Sequence, residues 1–185
     1  MRDDKRSDEI PSDEELVERG RAGDDAALGG LVERHHAAAY RVAFSMLRDD
    51  DAAQDVVQDA FIKAFRALEG FRGEASFRTW VLTIVGNEAR GALRRIGRRR
   101  ETALEDAGPV RSEQKAPDAE AVDAQEAARA RSIMETLPEK QKLSVALRID
   151  DGLSFKEIGE IIGSSEGAAR VNYFHGIRRL RELMQ

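Results

Sequence analysis

FRGEASFRTWVLTIVGNEARGALRRIGRRR, residues 71–100, decides how the rest of the chain reads. It opens with a Gly-containing loop, Phe71-Arg72-Gly73-Glu74-Ala75, after which Ser76 is placed to N-cap a helix. From Phe77 onward Trp80, Val81, Ile84, Val85, Ala89, Ala92 and Leu93 recur at helical spacing. The far end carries Arg94, Arg95, Arg98, Arg99 and Arg100. An apolar stripe, an aromatic loop in front and a basic end suit a helix that packs on one side and meets nucleic acid on the other. A solvated charged face is the plainer reading of the same arginines.

The whole-chain charge does not choose between these readings, because 185 residues carry a formal net charge of −5. The distribution is more informative. Residues 76–100 hold seven arginines against Glu88 alone, whereas residues 101–130 hold eight acids against three bases. The absence of cysteine excludes disulfides and thiolate metal sites. No apolar run approaches the ~18 residues of a membrane span. The N-terminus, MRDDKRSDEIPSDEE, lacks the apolar core of a secretory leader, so a cytoplasmic protein is expected.

Upstream, residues 1–11 are charged and aperiodic and read as a mobile tail. Ser12-Asp13-Glu14-Glu15 matches a capping box, so a first helix begins there and ends near Gly23. Asp24 or Asp25 caps a second, with Leu31, Val32, His35, Ala39, Val42 and Met46 on one stripe. Asp49-Asp50-Asp51 breaks it and caps a third. In that third helix Ala53, Val56, Val57, Ala60, Phe61 and Ala64 form a core stripe. On another face lie Asp55, Gln58, Asp59 and Ile62 at i, i+3, i+4, i+7. An apolar centre with an acidic rim suits a protein partner, but the residues alone slightly favour an ordinary solvated surface.

Downstream, residues 101–121 contain two prolines, a glycine and mixed charge without a period, the pattern of a linker. The expectation is therefore all-α: two small helical domains on a tether, at 12–100 and 122–185. In the second, a helix over 122–136 precedes Leu137-Pro138 and another helix that stops at Asp150-Asp151-Gly152. Ser154-Phe155-Lys156-Glu157 is a second capping box, opening a short helix that Gly163 ends; Ser164 or Ser165 then caps the last helix. Two helices joined by a Gly-containing turn, the second one basic, form a helix-turn-helix. On the last helix Ala169, Tyr173, Ile177 and Leu180 should pack inward. Arg170, Val171, Phe174, His175 and Arg178 fall opposite, where a recognition helix reads base edges. Arg170 suits guanine, Val171 or Phe174 suits a thymine methyl, and Ser165 at the helix start suits a phosphate.

Three stretches together resemble the extracytoplasmic-function group of bacterial RNA polymerase sigma factors: DAAQDVVQDAFIKAFRAL, FRGEASFRTWVLTIVGNEARGALRR, and LPEKQKLSVALRIDDGLSFKEIGEIIGSSEGAARVNYFHGIRRLREL. The resemblance implies a sigma-two domain at 12–100 and a sigma-four domain at 122–185. The Asp55, Gln58, Asp59, Ile62 face would then dock on the beta-prime clamp helices of core RNA polymerase, overturning the solvated-surface reading. The loop Phe71, Arg72, Gly73 to Ser76, with Phe77 behind it, would capture a base flipped from the non-template strand of the minus-ten element. Asn87 would lie near that strand, and Arg94 and Arg95 would hold its backbone. The linker would thread toward the RNA exit channel. The last helix would read the minus-thirty-five element, with the beta flap as a further contact and an anti-sigma factor as a permitted regulator.

Where relatives commonly read V-K-S-R or V-R-S-R, this chain has Ala169-Arg170-Val171-Asn172, so the promoter sequence does not transfer with the fold. Rival readings are a stand-alone helix-turn-helix regulator, a protein-binding helical adaptor and an enzyme. His35 and His36 point in different directions from one helix, and there is no Gly-rich phosphate loop or credible triad. No catalytic residue, metal or cofactor is expected.

Overall fold

The structure is a computed structural model that describes residues 10–104 and 132–184. Helix α1 (Asp13–Arg21) begins on the expected capping box: the Glu15 N–H donates to Ser12 Oγ at 3.2 Å and the Ser12 N–H to Glu15 Oε2 at 2.9 Å. Asp24, rather than Asp25, caps α2 (Asp25–Leu47), accepting from the Ala27 N–H at 3.1 Å. Asp49 caps α3 (Asp50–Arg66) through the Ala52 N–H at 2.8 Å. A 3-10 turn (Leu68–Gly70) leads into the loop before α4 (Phe77–Leu104), where Ser76 Oγ accepts from the Thr79 N–H at 3.1 Å.

Helix α4 runs past Arg100, where the sequence predicts the linker to begin. Nothing in Glu101-Thr102-Ala103-Leu104 stops a helix, because no glycine, proline or cap intervenes. The rest of the linker, most of the helix expected over 122–136 and the tail at 1–9 lie outside the described residues; 132–135 are helical. Then follow α5 (Glu139–Ile149), α6 (Phe155–Ile162) and α7 (Glu166–Met184). The second capping box forms as expected, with Glu157 N–H to Ser154 Oγ at 3.3 Å and Ser154 N–H to Glu157 Oε2 at 2.8 Å. Gly163 takes a left-handed φ of 65° and turns the chain. Ser165, not Ser164, caps α7, accepting from the Ala168 N–H at 3.2 Å.

No strand occurs among the described residues, so the all-α expectation holds. Helices α1–α4 form the first module, whose interior is filled by Leu31, Val42, Val57, Val81, Leu82 and Val85. Each such side chain, taken out of water, contributes about 1.5–3 kcal/mol, and this packing rather than intrinsic propensity supplies most of the helices' stability. Helices α5–α7 form the second module around Leu147, Ile158, Ile161 and Ala169.

The two modules touch. Helix α4 packs on α6 and α2 on α5, so the buried residues of both join in one apolar cluster. The two helical units thus meet along a seam.

Candidate nucleic-acid interface

The loop before α4 hangs from α1. Arg21 Nε donates to the Leu68 carbonyl at 3.1 Å, and its Nη2 donates to the Phe71 carbonyl. Phe71 is half-buried, with its ring 4.8 Å from Trp80 and edge-on to Phe77 at 6.0 Å. Arg72, Gly73 and Ser76 are exposed, and Gly73 adopts a left-handed φ of 70° that gives the loop its bend.

Phe77 requires a correction. It is 3% exposed, packed against His35 and Trp80, and so is the floor under the loop rather than a surface that DNA can meet.

Further along α4, Asn87, Arg94 and Arg95 are exposed at i, i+7, i+8, on one side of the helix. The single acid of this stretch, Glu88, is held by Lys63 at 2.6 Å, so it does not offset the arginines. Arg90, which periodicity does not distinguish from its neighbours, turns inward. It donates to Asn87 Oδ1 at 2.6 Å and to the Ile161 carbonyl of α6 at 2.6 Å. Burial, with the charge of Arg94, lowers its pKa from the usual value.

On α3, Asp55, Gln58, Asp59 and Ile62 are all exposed, Ile62 by 41%. Three of them, Asp55, Gln58 and Ile62, border a groove of about 1070 Å³ between α2 and α3 whose floor includes Val57, Phe61 and Phe65. Tyr40 also lines it, donating to Asp50, which raises the phenol pKa. The groove is an apolar trough with an acidic rim.

On α7 Ala169 is fully buried and Tyr173, Ile177 and Leu180 are only half-buried, whereas Val171 is 55% and Phe174 58% exposed. Arg170, His175 and Arg178 are exposed beside them and Asn172 is half-buried. Arg170 lies 5.3 Å over the Phe155 ring and pairs with Glu166 at 2.8 Å, while Arg148 lies over the same ring at 5.0 Å. Phe155, the first residue of α6, is a platform that sequence spacing does not reveal. Ser165 Oγ accepts the cap bond, which leaves its own proton to donate.

Two family models match this chain: Sigma-70 region 2 over residues 31–99 and Sigma-70, region 4 over residues 133–182. The chain belongs to the extracytoplasmic-function (ECF) sigma factors. Region 2 takes in α3 and most of α2 and α4; region 4 takes in the helix-turn-helix. The sigma factor is 33% identical over 182 residues to the ECF RNA polymerase sigma-E factor of Haemophilus influenzae, with 94% of each chain covered. It is 36% identical to that of Escherichia coli K12, covering 88% and 89%.

Among solved structures, CnrH in complex with the cytosolic domain of CnrY is similar at 25% identity and a TM-score of 0.60, covering 91% of this chain and 94% of that one. The sigma factor RpoE of Bartonella quintana, solved with the anti-sigma factor NepR, shares the fold at 23% identity and a TM-score of 0.63, covering 83% and 93%. As a sigma factor the protein binds core RNA polymerase and promoter DNA and directs promoter-specific initiation of transcription through its minus-ten and minus-thirty-five elements. A stand-alone helix-turn-helix regulator leaves the region 2 match without a purpose. Among the described residues, no helix is long and apolar enough to cross a membrane, and no group of His, Asp and Glu could hold a metal ion.

Proposed function

We propose that this sigma factor grips a promoter with two different tools and grips polymerase with a third surface. The exposed face of Asp55, Gln58, Asp59 and Ile62, alongside the acidic-rimmed trough, meets the beta-prime clamp helices. The loop at Phe71, Arg72, Gly73 and Ser76, with Asn87 behind it, holds a base flipped from the non-template strand of the minus-ten element. Arg94 and Arg95 carry that strand's phosphates.

Unstacking a base costs a few kcal/mol, roughly what a stacking platform on a rigid element returns. The fixed loop supports this role because Arg21 anchors its backbone, leaving the exposed side chains free to engage DNA. Arg170, Val171, Asn172, Phe174, His175 and Arg178 read the minus-thirty-five duplex in the major groove, while Ser165 and the helix start hold a phosphate. The second module also meets the beta flap.

The observation that carries this reading is the pair Val171 and Phe174, each more than half exposed beside Arg170 on one turn of α7. Folding does not require apolar side chains there; thymine methyls and sugar edges do. No catalytic side chain of this chain is needed, because the polymerase performs the chemistry. The protein acts in the cytoplasm, with an anti-sigma factor as its regulatory partner. Run-off transcription with purified core polymerase on genomic fragments, with start sites mapped, tests the reading. Defined start sites sharing two upstream elements support it, and absence of specific starts rejects it.

A further inference from the structure

Between α2 and α5 lies a cavity of about 480 Å³, lined by none of the residues assigned above to promoter or polymerase. Small-molecule sites occupy about 300–1,000 Å³, with mostly apolar walls and a few placed polar groups. Here Phe44 of α2, Met134 ahead of α5, Val145 and Ile149 of α5 and Leu180 of α7 supply the apolar wall. The helical period puts Arg41 and Ser45 on one face of α2, and Lys142, Ala146 and Ile149 on one face of α5. The two faces run in opposite directions. Arg41 pairs with Asp151, beyond the end of α5, at 2.9 Å, whereas Arg48, just past the end of α2, pairs with Glu135 ahead of α5.

These ion pairs charge the two ends unequally. At the Arg41 end Asp151 accepts from both Arg41 and Arg78, and Asp150 also lines the cavity, so two acids meet two cations. At the Arg48 end the single Glu135 carboxylate serves both Arg48 and Lys142. Glu139, whose carboxyl also feels Arg48, does not line the cavity. The Lys142 side chain is 12% exposed, and burial, with Arg48 beside it, lowers its pKa to about 8. That end therefore holds one cation more than its lining neutralises.

Ser45 is an independent sign of a ligand. It is 7% exposed, lines the cavity, and makes no hydrogen bond through its hydroxyl to another described residue. Ser144, its buried counterpart on α5, donates to the Lys140 carbonyl at 2.7 Å. Buried hydroxyls are nearly always bonded, so Ser45 is available to donate into the cavity. Lys142 and Ser45 both offer protons, which suits a head group that only accepts.

We propose that this cavity binds a small amphipathic monocarboxylate, its head accepting from Lys142 and Ser45 and its unbranched chain lying along Phe44, Ala146 and Ile149. One negative charge matches the one surplus cation, and the charge-assisted bond sets which way round the chain lies. Lys142 to Ile149 spans about 10 Å at about 1.5 Å per residue, so a chain of medium length covers the wall. Both modules contribute to the wall, so the bound acid touches α2 and α5 together.

The test titrates decanoate into the full chain, followed by calorimetry and heteronuclear NMR. One site per chain should saturate, with shifts centred on Phe44, Ser45, Lys142 and Ile149. Decan-1-ol, the same chain without the charge, should bind about tenfold more weakly. Lys142→Met should weaken decanoate by about tenfold and leave decan-1-ol unchanged, whereas Ala146→Phe, which puts a ring into the cavity, should abolish both. Ser45→Ala removes a hydroxyl without a protein partner, so it keeps the fold and should weaken decanoate alone by about threefold. Circular dichroism confirms that each variant is folded.

No saturable binding by the folded chain overturns the site. Equal affinity for decanoate, decan-1-ol and decyltrimethylammonium overturns the head-group assignment and leaves an unselective apolar gap. Shifts centred on Phe61 and Phe65 place the acid in the α2–α3 trough instead and overturn the proposal. A dimer in sedimentation, with these wall residues as its contacts, means that a second copy fills the cavity and the acid does not.

Discussion

Arg21 on α1 donates to the carbonyl of Leu68, 47 residues away, at 3.1 Å, and through its other nitrogen to the carbonyl of Phe71. The loop proposed to hold an unpaired base is thus fixed by a partly buried cation of another helix. Hydrogen bonds to a charged group are worth about 1.5–3 kcal/mol each where burial leaves no substitute. Arg21→Ala should therefore reduce open-complex formation while leaving duplex binding by α7 unchanged. Permanganate reactivity of minus-ten thymines, compared with protection of the upstream duplex, measures both.

The polymerase-facing assignment predicts a loss without unfolding. Asp55→Arg combined with Asp59→Arg places like charge where an acidic rim meets a basic partner. Core-polymerase affinity should fall by at least about tenfold, ~1.4 kcal/mol. Both side chains are exposed, so the melting temperature should stay within error. Unchanged binding in a pull-down counts against the clamp assignment.

On the upstream element, Arg170→Ala should cost about 1–3 kcal/mol on the cognate duplex and relax selectivity at one position. An equal loss on scrambled duplex would mean that Arg170 touches phosphate alone. Phe155→Leu removes the ring beneath Arg170 and Arg148 and should cost about 0.5–2 kcal/mol without abolishing binding. Fluorescence anisotropy on the two duplexes separates these outcomes.

A pH dependence follows from His35, buried with Nε2 2.7 Å from Asp13 Oδ2. Burial lowers its pKa below the ordinary 6.5; the Asp13 charge opposes this, while Arg78 and Arg34 add to it. The unfolded chain then binds more protons than the folded one as pH falls below about 6.5. Stability is full above that value and declines as pH drops from it toward the lower folded value. Asp13→Asn should push the imidazole midpoint further down, as read by NMR titration, and steepen the loss of thermal stability in acid.

Much of this fold is legible in the residues because its signals are local. Ser12 and Glu15, like Ser154 and Glu157, close capping boxes within four residues, and the buried stripes of α3 and α4 follow the helical period. The exposed faces on α3 and α7 are equally legible, being what the stripes leave over. What local signals miss is long-range. Phe77 obeys the period yet lies beneath the loop, because its neighbours His35 and Trp80 close over it. Arg90 reads as one more member of a basic run. Its inward turn depends on a carbonyl 71 residues away. Gly86 reads as a weak point in a helix, although the end of α6 requires its bareness. The seam between the modules is invisible to spacing for the same reason.

The central claim is that opened strand is held on the first module and closed duplex on the second. Its most direct test is permanganate footprinting of the holoenzyme on a mapped promoter, run in parallel with protection of the upstream duplex, using the combined change Asn87→Ala, Arg94→Ala and Arg95→Ala. Upstream protection should persist while the reactive minus-ten thymines disappear. A full bubble with upstream protection lost would contradict it.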